Sequence, residues 1–127
     1  MSIVGDVAEL KFMVLMREMG YTVCKPMSHH SRYDFIVDMS GDMKRVQVKS
    51  TNYKKNEGSN YGAYVCHSYT QKRKNRYLKS EVDYIAVYIT GCDAWYMIPI
   101  QEIKGENIRM YPHRTDSRGK FEKYRIQ

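Results

Sequence analysis

The sequence predicts an α/β (α+β) fold laid out as helix, strand, hairpin and further strands. Three observations predict it. Apolar residues recur at helical spacing near the N-terminus, a strand-forming run is joined through a tight-turn signal to a run that alternates apolar and polar, and a strongly apolar run meets a second turn signal and returns. No repeat, low-complexity tract or proline-rich linker interrupts the chain, so residues 1–127 are read as a single domain.

Ile3, Val7, Leu10 and Val14 recur at spacings of four, three and four, with Met13 and Met16 widening the stripe and Gly20 standing where a helix C-cap belongs. Residues around 3–19 therefore read as a helix. Gly5 moves its first regular turn toward Asp6, whose charge suits the positive end of the helix dipole. A short extended piece over 21–24 and a polar connection lead to Tyr33-Asp34-Phe35-Ile36-Val37-Asp38-Met39, rich in strand formers. Ser40-Gly41-Asp42 closes a turn. Lys44-Arg45-Val46-Gln47-Val48-Lys49-Ser50 then alternates, with Val46 and Val48 on one face and Arg45, Gln47 and Lys49 on the other, which completes a β-hairpin. Residues 53–60 read as a polar loop, 61–69 as a strand, and 70–80 as a connection carrying Lys72, Arg73, Lys74, Arg76 and Lys79. Residues 82–90 form a further strand, Gly91-Cys92-Asp93 turns the chain, and 94–98 return before Pro99 as a second hairpin. A short helix can begin at 99–103, and the polar residues beyond carry no clear pattern.

The 21 Lys and Arg against 14 Asp and Glu leave a formal charge of +7, which favours a polyanionic partner, nucleic acid first. No apolar run approaches the roughly 18 residues of a spanning helix, and no basic amphipathic helix is present, so no membrane partner is expected. The N-terminus lacks the pattern of a signal peptide, which leads us to expect a cytoplasmic protein. Cys24, Cys66 and Cys92 are far apart and odd in number, which argues against a disulfide framework and a zinc site. The 12 Tyr suit half-buried strands and also stack on bases, and the strand explanation suffices for most.

One constellation carries chemistry. Asp34 begins one strand of the first hairpin, while Gln47 and Lys49 lie two residues apart on its partner, on the order of 7 Å from each other on one face. Phosphodiester hydrolysis needs a metal to neutralise the phosphate and lower the pKa of a bound water, plus a fixed cation near the reacting oxygens. An acid, a second oxygen ligand and a lysine supply those parts. Mg2+ suits them because it takes oxygen ligands and keeps several waters, and Mn2+ is expected to substitute.

Asp34 followed by Gln47-Val48-Lys49 on the next strand resembles the signature of the PD-(D/E)XK nucleases, with Glu9 as their common helical acid. More closely, Gly5-Asp6-Val7-Ala8-Glu9-Leu10-Lys11, Ser31-Arg32-Tyr33-Asp34, Arg45-Val46-Gln47-Val48-Lys49-Ser50 and Trp95-Tyr96-Met97-Ile98-Pro99 resemble the group I intron-associated homing endonucleases, relatives of archaeal Holliday-junction resolvases. The resemblance spans residues 5–100. It implies a restriction-endonuclease-like core, a mixed β-sheet flanked by helices. It further implies Asp34 as the main metal ligand, the Val48 backbone carbonyl as another, Lys49 orienting or activating the water, and Glu9 completing the site. Gln47 departs from the usual Asp or Glu and offers only a neutral carbonyl oxygen, so metal affinity should fall. Tyr33 stands where the family has Pro.

The expected function is a metal-dependent DNA endonuclease, a sequence-specific double-strand enzyme of the homing kind, with double-stranded DNA as partner. Near-symmetric targets would require a homo-oligomer, a dimer or tetramer. A junction resolvase using the same site is the alternative within the class, and a non-catalytic DNA-binding module is the alternative outside it. Catalytic roles fall to Glu9, Asp34, Gln47 and Lys49, and DNA contacts to Arg32, Lys54, Lys55, Lys72, Arg73, Lys74 and Arg76. Each residue also has an ordinary explanation, since strand-start acids and exposed lysines are common and Glu9 suits a helix N-terminal half through the dipole alone. His29 and His30 read as solvent-facing loop residues rather than ligands.

Overall fold

The computed structural model describes residues 3–55, 62–68, 77–113 and 119–127. Helix α1 (Ile3–Glu18) stops at Gly20, whose φ of 90° is open to glycine. Tyr21 N–H donates to the Met16 carbonyl (2.9 Å) and Gly20 N–H to that of Arg17 (3.0 Å), the paired bonds of a Schellman cap.

Of the residues that mark α1 in the sequence, Met16 and in part Met13 help anchor it, and the other four do not. Ala8, Phe12, Leu15 and Met16 are buried, whereas Ile3, Leu10 and Val14 are 81%, 57% and 60% exposed and Val7 is 40% exposed. Both series satisfy helical spacing. The side with Phe12 packs because its ring fills the space against Phe35 (centroids 5.4 Å apart) and Trp95 (5.7 Å), burying far more apolar area than a stripe led by valines.

Among the described residues seven strands follow: β1 (Thr22–Cys24), β2 (Phe35–Met39), β3 (Asp42–Thr51), β4 (Tyr64–His67), β5 (Tyr84–Ile89), β6 (Ala94–Pro99) and β7 (Asn107–Met110). Five of them form a mixed sheet in the order β1-β2-β3-β5-β6, with β3 and β5 parallel and the other neighbours antiparallel. β4 and β7 make a separate antiparallel ribbon. Both predicted hairpins are present. In the first, Ser40 and Gly41 both take positive φ (57° and 97°), as a two-residue hairpin turn requires, and Asp38 Oδ1 accepts the Gly41 N–H at 2.7 Å.

Alternation along β5 and β6 sends side chains to two cores. Ala86, Tyr88, Trp95 and Met97 join Val46, Val48 and the buried face of α1, while Ile85, Val87, Tyr96 and Ile98 join Tyr64, Cys66, Ile108 and Met110 of the ribbon. The parallel β3–β5 pair is tied at its start by Arg45, whose Nε and Nη2 meet Asp83 Oδ2 and Oδ1 at 3.1 and 3.2 Å. Its Nη1 donates to the Ser80 carbonyl at 2.6 Å.

The chain end is held by the buried Phe121 ring and by polar contacts, without an apolar period. Glu122 accepts Tyr96 O–H (2.6 Å) and Tyr111 N–H (3.0 Å), and Ile126 N–H donates to the Trp95 carbonyl (2.9 Å). Of the strand expected over 61–69, Tyr64–His67 is observed, and Tyr61 and Tyr69 lie outside the described residues. The short helix expected at 99–103 is a single 3-10 turn at Ile100–Glu102. The cysteines are free. Among the described residues no helix is long and apolar enough to cross a membrane.

Candidate functional site

Central strand β3 organises the site, because its period of two puts Gln47 and Lys49 on the face opposite Val46 and Val48. Asp34 is placed against it by two bonds. Its N–H donates to the Val46 carbonyl (2.9 Å), and its Oδ2 accepts the Val48 N–H (2.8 Å). A carboxylate that takes a ladder amide is fixed to within a rotamer, which leaves Oδ1 to face the remaining groups.

Electrostatics show which groups those are. Burial pushes the Asp34 carboxyl up to about 6; the Val48 N–H works against the shift, the Glu9 charge adds to it, and Lys25 and Lys49 oppose it. Burial likewise holds the Lys49 ammonium below its ordinary value, with the Asp34 charge opposing that shift and the Arg32 charge adding to it. The Asp34 carboxyl thus feels the charges of both Glu9 and Lys49. Gln47 sits at the same place, its Nε2 3.5 Å from the Val48 carbonyl oxygen. A half-turn of the amide exchanges its two ends, so the same pose can offer Oε1 beside that carbonyl.

Two residues at the site were not read from the sequence. Lys25, just past β1, lies 3.0 Å from Glu9 Oε1 and 5.1 Å above the Phe35 ring. Tyr77 is buried against two cations, with Lys49 Nζ 5.2 Å and the Arg32 guanidinium 4.5 Å from its ring centre. Burial pushes the Tyr77 hydroxyl up to about 12. Nothing local in the sequence signals either residue, since both are brought in by the sheet order.

Arg32 also lies 3.5 Å from Glu81, so it belongs to the edge of the site. Lys54 stands 5.7 Å over the Tyr64 ring, and Lys55 closes a turn with Gly62 and Ala63 through its backbone. Lys72, Arg73, Lys74 and Arg76 lie outside the described residues. His29 and His30 are exposed. A cavity of about 490 Å3 opens beside Lys49 and is lined by Gly5 of α1, Thr51, Tyr53, Cys66 and His67. His67 Nδ1 is 2.9 Å from Asn107 Oδ1, which orients the ring.

Among the described residues no three His, Cys, Asp or Glu side chains come close enough to hold a metal by themselves. The donors available here are instead all oxygens: the carboxylates of Asp34 and Glu9, the Val48 carbonyl and the Gln47 amide. That set suits a hard divalent cation that keeps part of its water shell. A buried carboxyl raised by its surroundings and by a second carboxylate is one that a cation would favour ionised. The donors thus fit a magnesium-type ion.

The family model for PD-(D/E)XK endonuclease matches residues 2–125. A search of curated proteins finds no match. Among solved structures the chain is similar to the bacterial homing endonuclease I-Ssp6803I, at 26% identity and a TM-score of 0.74, covering 95% of this chain and 85% of that one. It also shares its fold with Hjc, a Holliday junction resolvase of the archaeal hyperthermophile Archaeoglobus fulgidus, at 14% identity and a TM-score of 0.52, covering 85% of this chain and 87% of that one.

Proposed function

Since the chain belongs to the PD-(D/E)XK endonuclease family, we propose that it is a Mg2+-dependent double-strand DNA endonuclease of the homing kind, built as a single domain over residues 1–127. The observation that carries this reading is the half-buried Asp34 carboxyl, held by the Val48 N–H and within the fields of Glu9 and Lys49. Likeness to a homing endonuclease over most of both chains supports the substrate class.

In this reading Asp34, the Val48 carbonyl, the Gln47 amide oxygen and Glu9 would hold the ion. Mn2+ is expected to substitute. The bound ion supplies positive charge to the scissile phosphate and acidity to a water. Lys49, whose ammonium burial holds below its ordinary value, orients the attacking water. Arg32, which shares the Tyr77 ring with Lys49, takes a non-bridging phosphate oxygen. The cavity beside Lys49 receives the adjoining backbone, and Lys54 and Lys55, with Lys72, Arg73, Lys74 and Arg76, neutralise further phosphates. Cutting both strands needs two such sites, so the working form is a homo-oligomer.

The test is to incubate the chain with duplex DNA of randomised sequence and Mg2+ or Mn2+, mapping the ends. Metal-dependent cuts leaving 5′-phosphates are expected, and Lys49→Ala should abolish them while leaving DNA affinity largely intact. Tight binding without cleavage in either metal would mean a silent DNA-binding module, for which the neutral Gln47 is the structural argument. Preferential cutting of four-way junctions would replace the homing reading by a resolvase.

A further inference from the structure

The exposed stripe on α1 is the part of the molecule that the nuclease reading leaves unexplained. Ile3, Val7, Leu10 and Val14 run along the helix on the side away from the buried Ala8, Phe12, Leu15 and Met16, so the outward face of a surface helix is apolar where polar residues belong. Their spacing of four, three and four is that of the seam positions of a heptad, here d, a, d and a. Asp6 and Lys11 then occupy the flanking g and e positions.

We infer that this face pairs with the same face of a second copy of this chain, the two α1 helices lying parallel about a two-fold axis. Charge decides the direction. In a parallel pair a g residue faces the e residue five positions on in the partner, so Asp6 of each copy meets the other copy's Lys11, twice by symmetry. In an antiparallel pair g faces g and e faces e, and that match is lost. Lys11 can turn to make it, because its side chain is about half exposed and its present contacts are long, 3.9 Å to Asp93 and 5.6 Å to the centre of the Tyr88 ring. Parallel pairing also leaves the two α1 N-terminal halves, which carry Gly5 and Glu9, at one end of the dimer. This last point rests on the nuclease reading: one duplex laid across that end reaches both sites, which antiparallel pairing would send to opposite ends.

The size of the face sets the strength. A helix of 16 residues is about 24 Å long and about 10 Å wide, a strip smaller than the ~800 Å2 per partner of a standard stable interface. Exchange between monomer and dimer is therefore expected in the micromolar range when DNA is absent.

Sedimentation of the purified full chain over a concentration series tests this without reference to cleavage. Mass should rise from monomer to dimer, and Leu10→Glu should hold it at monomer with an unchanged far-ultraviolet circular dichroism spectrum, since the side chain is mostly exposed in the monomer. Asp6→Lys should weaken the dimer, and adding Lys11→Asp should restore it. In a Cys24→Ser background, V7C should form a disulfide with itself under oxidation, because parallel seam positions meet their own copies. A wild-type chain that stays monomeric throughout, or a dimer that survives Leu10→Glu, overturns the proposal. A dimer that Leu10→Glu dissolves but V7C does not cross-link overturns the parallel arrangement. None of these readings depends on whether the chain cuts DNA, so failure here is distinct from failure of the nuclease assignment.

Discussion

Replacing Asp34 by Asn separates what the carboxylate contributes to cleavage from what it costs the fold. Burial pushes this carboxyl from an ordinary 3.8 up to about 6. Proton linkage fixes the sign of the consequence. Below pH 3.8 the group is neutral in both folded and unfolded chains, but between 3.8 and 6 the unfolded chain releases its proton while the folded one keeps it. Stability therefore falls as pH rises through that window and levels off above it. A gap of about 2 pH units corresponds to ~3 kcal/mol withheld at neutral pH, at about 1.36 kcal/mol per unit. Asn carries no charge, and its Oδ1 can still accept the Val48 N–H that Asp34 accepts now. Asp34→Asn should therefore raise Tm by up to ~10 °C at pH 7.5 for a chain of this length, with no gain at pH 3.5, while abolishing DNA cleavage. Adding Mg2+ should raise the Tm of the wild type and leave that of the variant unmoved. Thermal melts of both proteins from pH 3.5 to 8, with and without the ion, check all of this. A variant that melts at or below the wild type at neutral pH would refute the reasoning, because the carboxylate would then not be strained by its surroundings.

Further expectations follow from the same geometry. Glu9→Gln removes a charge that raises Asp34, so the acid limb of cleavage measured at subsaturating Mg2+ should move to lower pH; an unmoved limb would separate Glu9 from the site. Gln47→Glu puts a charged ligand where a neutral amide now stands beside the Val48 carbonyl. Calorimetric titration should show Mg2+ affinity rising about tenfold, or ~1.4 kcal/mol, with the metal-free Tm falling as a third carboxylate enters the cluster. Tyr77→Phe keeps the ring against Arg32 and Lys49 and should cut at a near-normal rate. Tyr77→Leu, which removes two cation–ring contacts of about 0.5–2 kcal/mol each, should lower kcat about tenfold with DNA affinity nearly unchanged; equal activity of the two variants would show that the ring does not position the cations.

What the sequence by itself determined is whatever depends on neighbours along the chain. A strand turns successive side chains to opposite faces, so Val46-Gln47-Val48-Lys49 already states that Gln47 and Lys49 share a side. Ser40-Gly41 can take the positive φ of a tight hairpin, so the strand carrying Asp34 had to fold back on that side. Helix α1 was equally legible as a helix, and the excess of cationic residues pointed to a polyanion.

Only the tertiary structure decided which face of α1 is inside, because the two apolar series have the same period and the choice lies with the rings of Phe35 and Trp95, contributed by distant strands. The same holds for the surroundings of Asp34. Its carboxyl is raised by a burial that five strands create together, and Lys25 and Tyr77 enter the site because the sheet order brings a connector and the approach to β5 beside β3. The C-terminal residues were silent for a related reason. They dock through the Phe121 ring, Glu122 and backbone bonds to β6, and isolated contacts leave no period in a sequence.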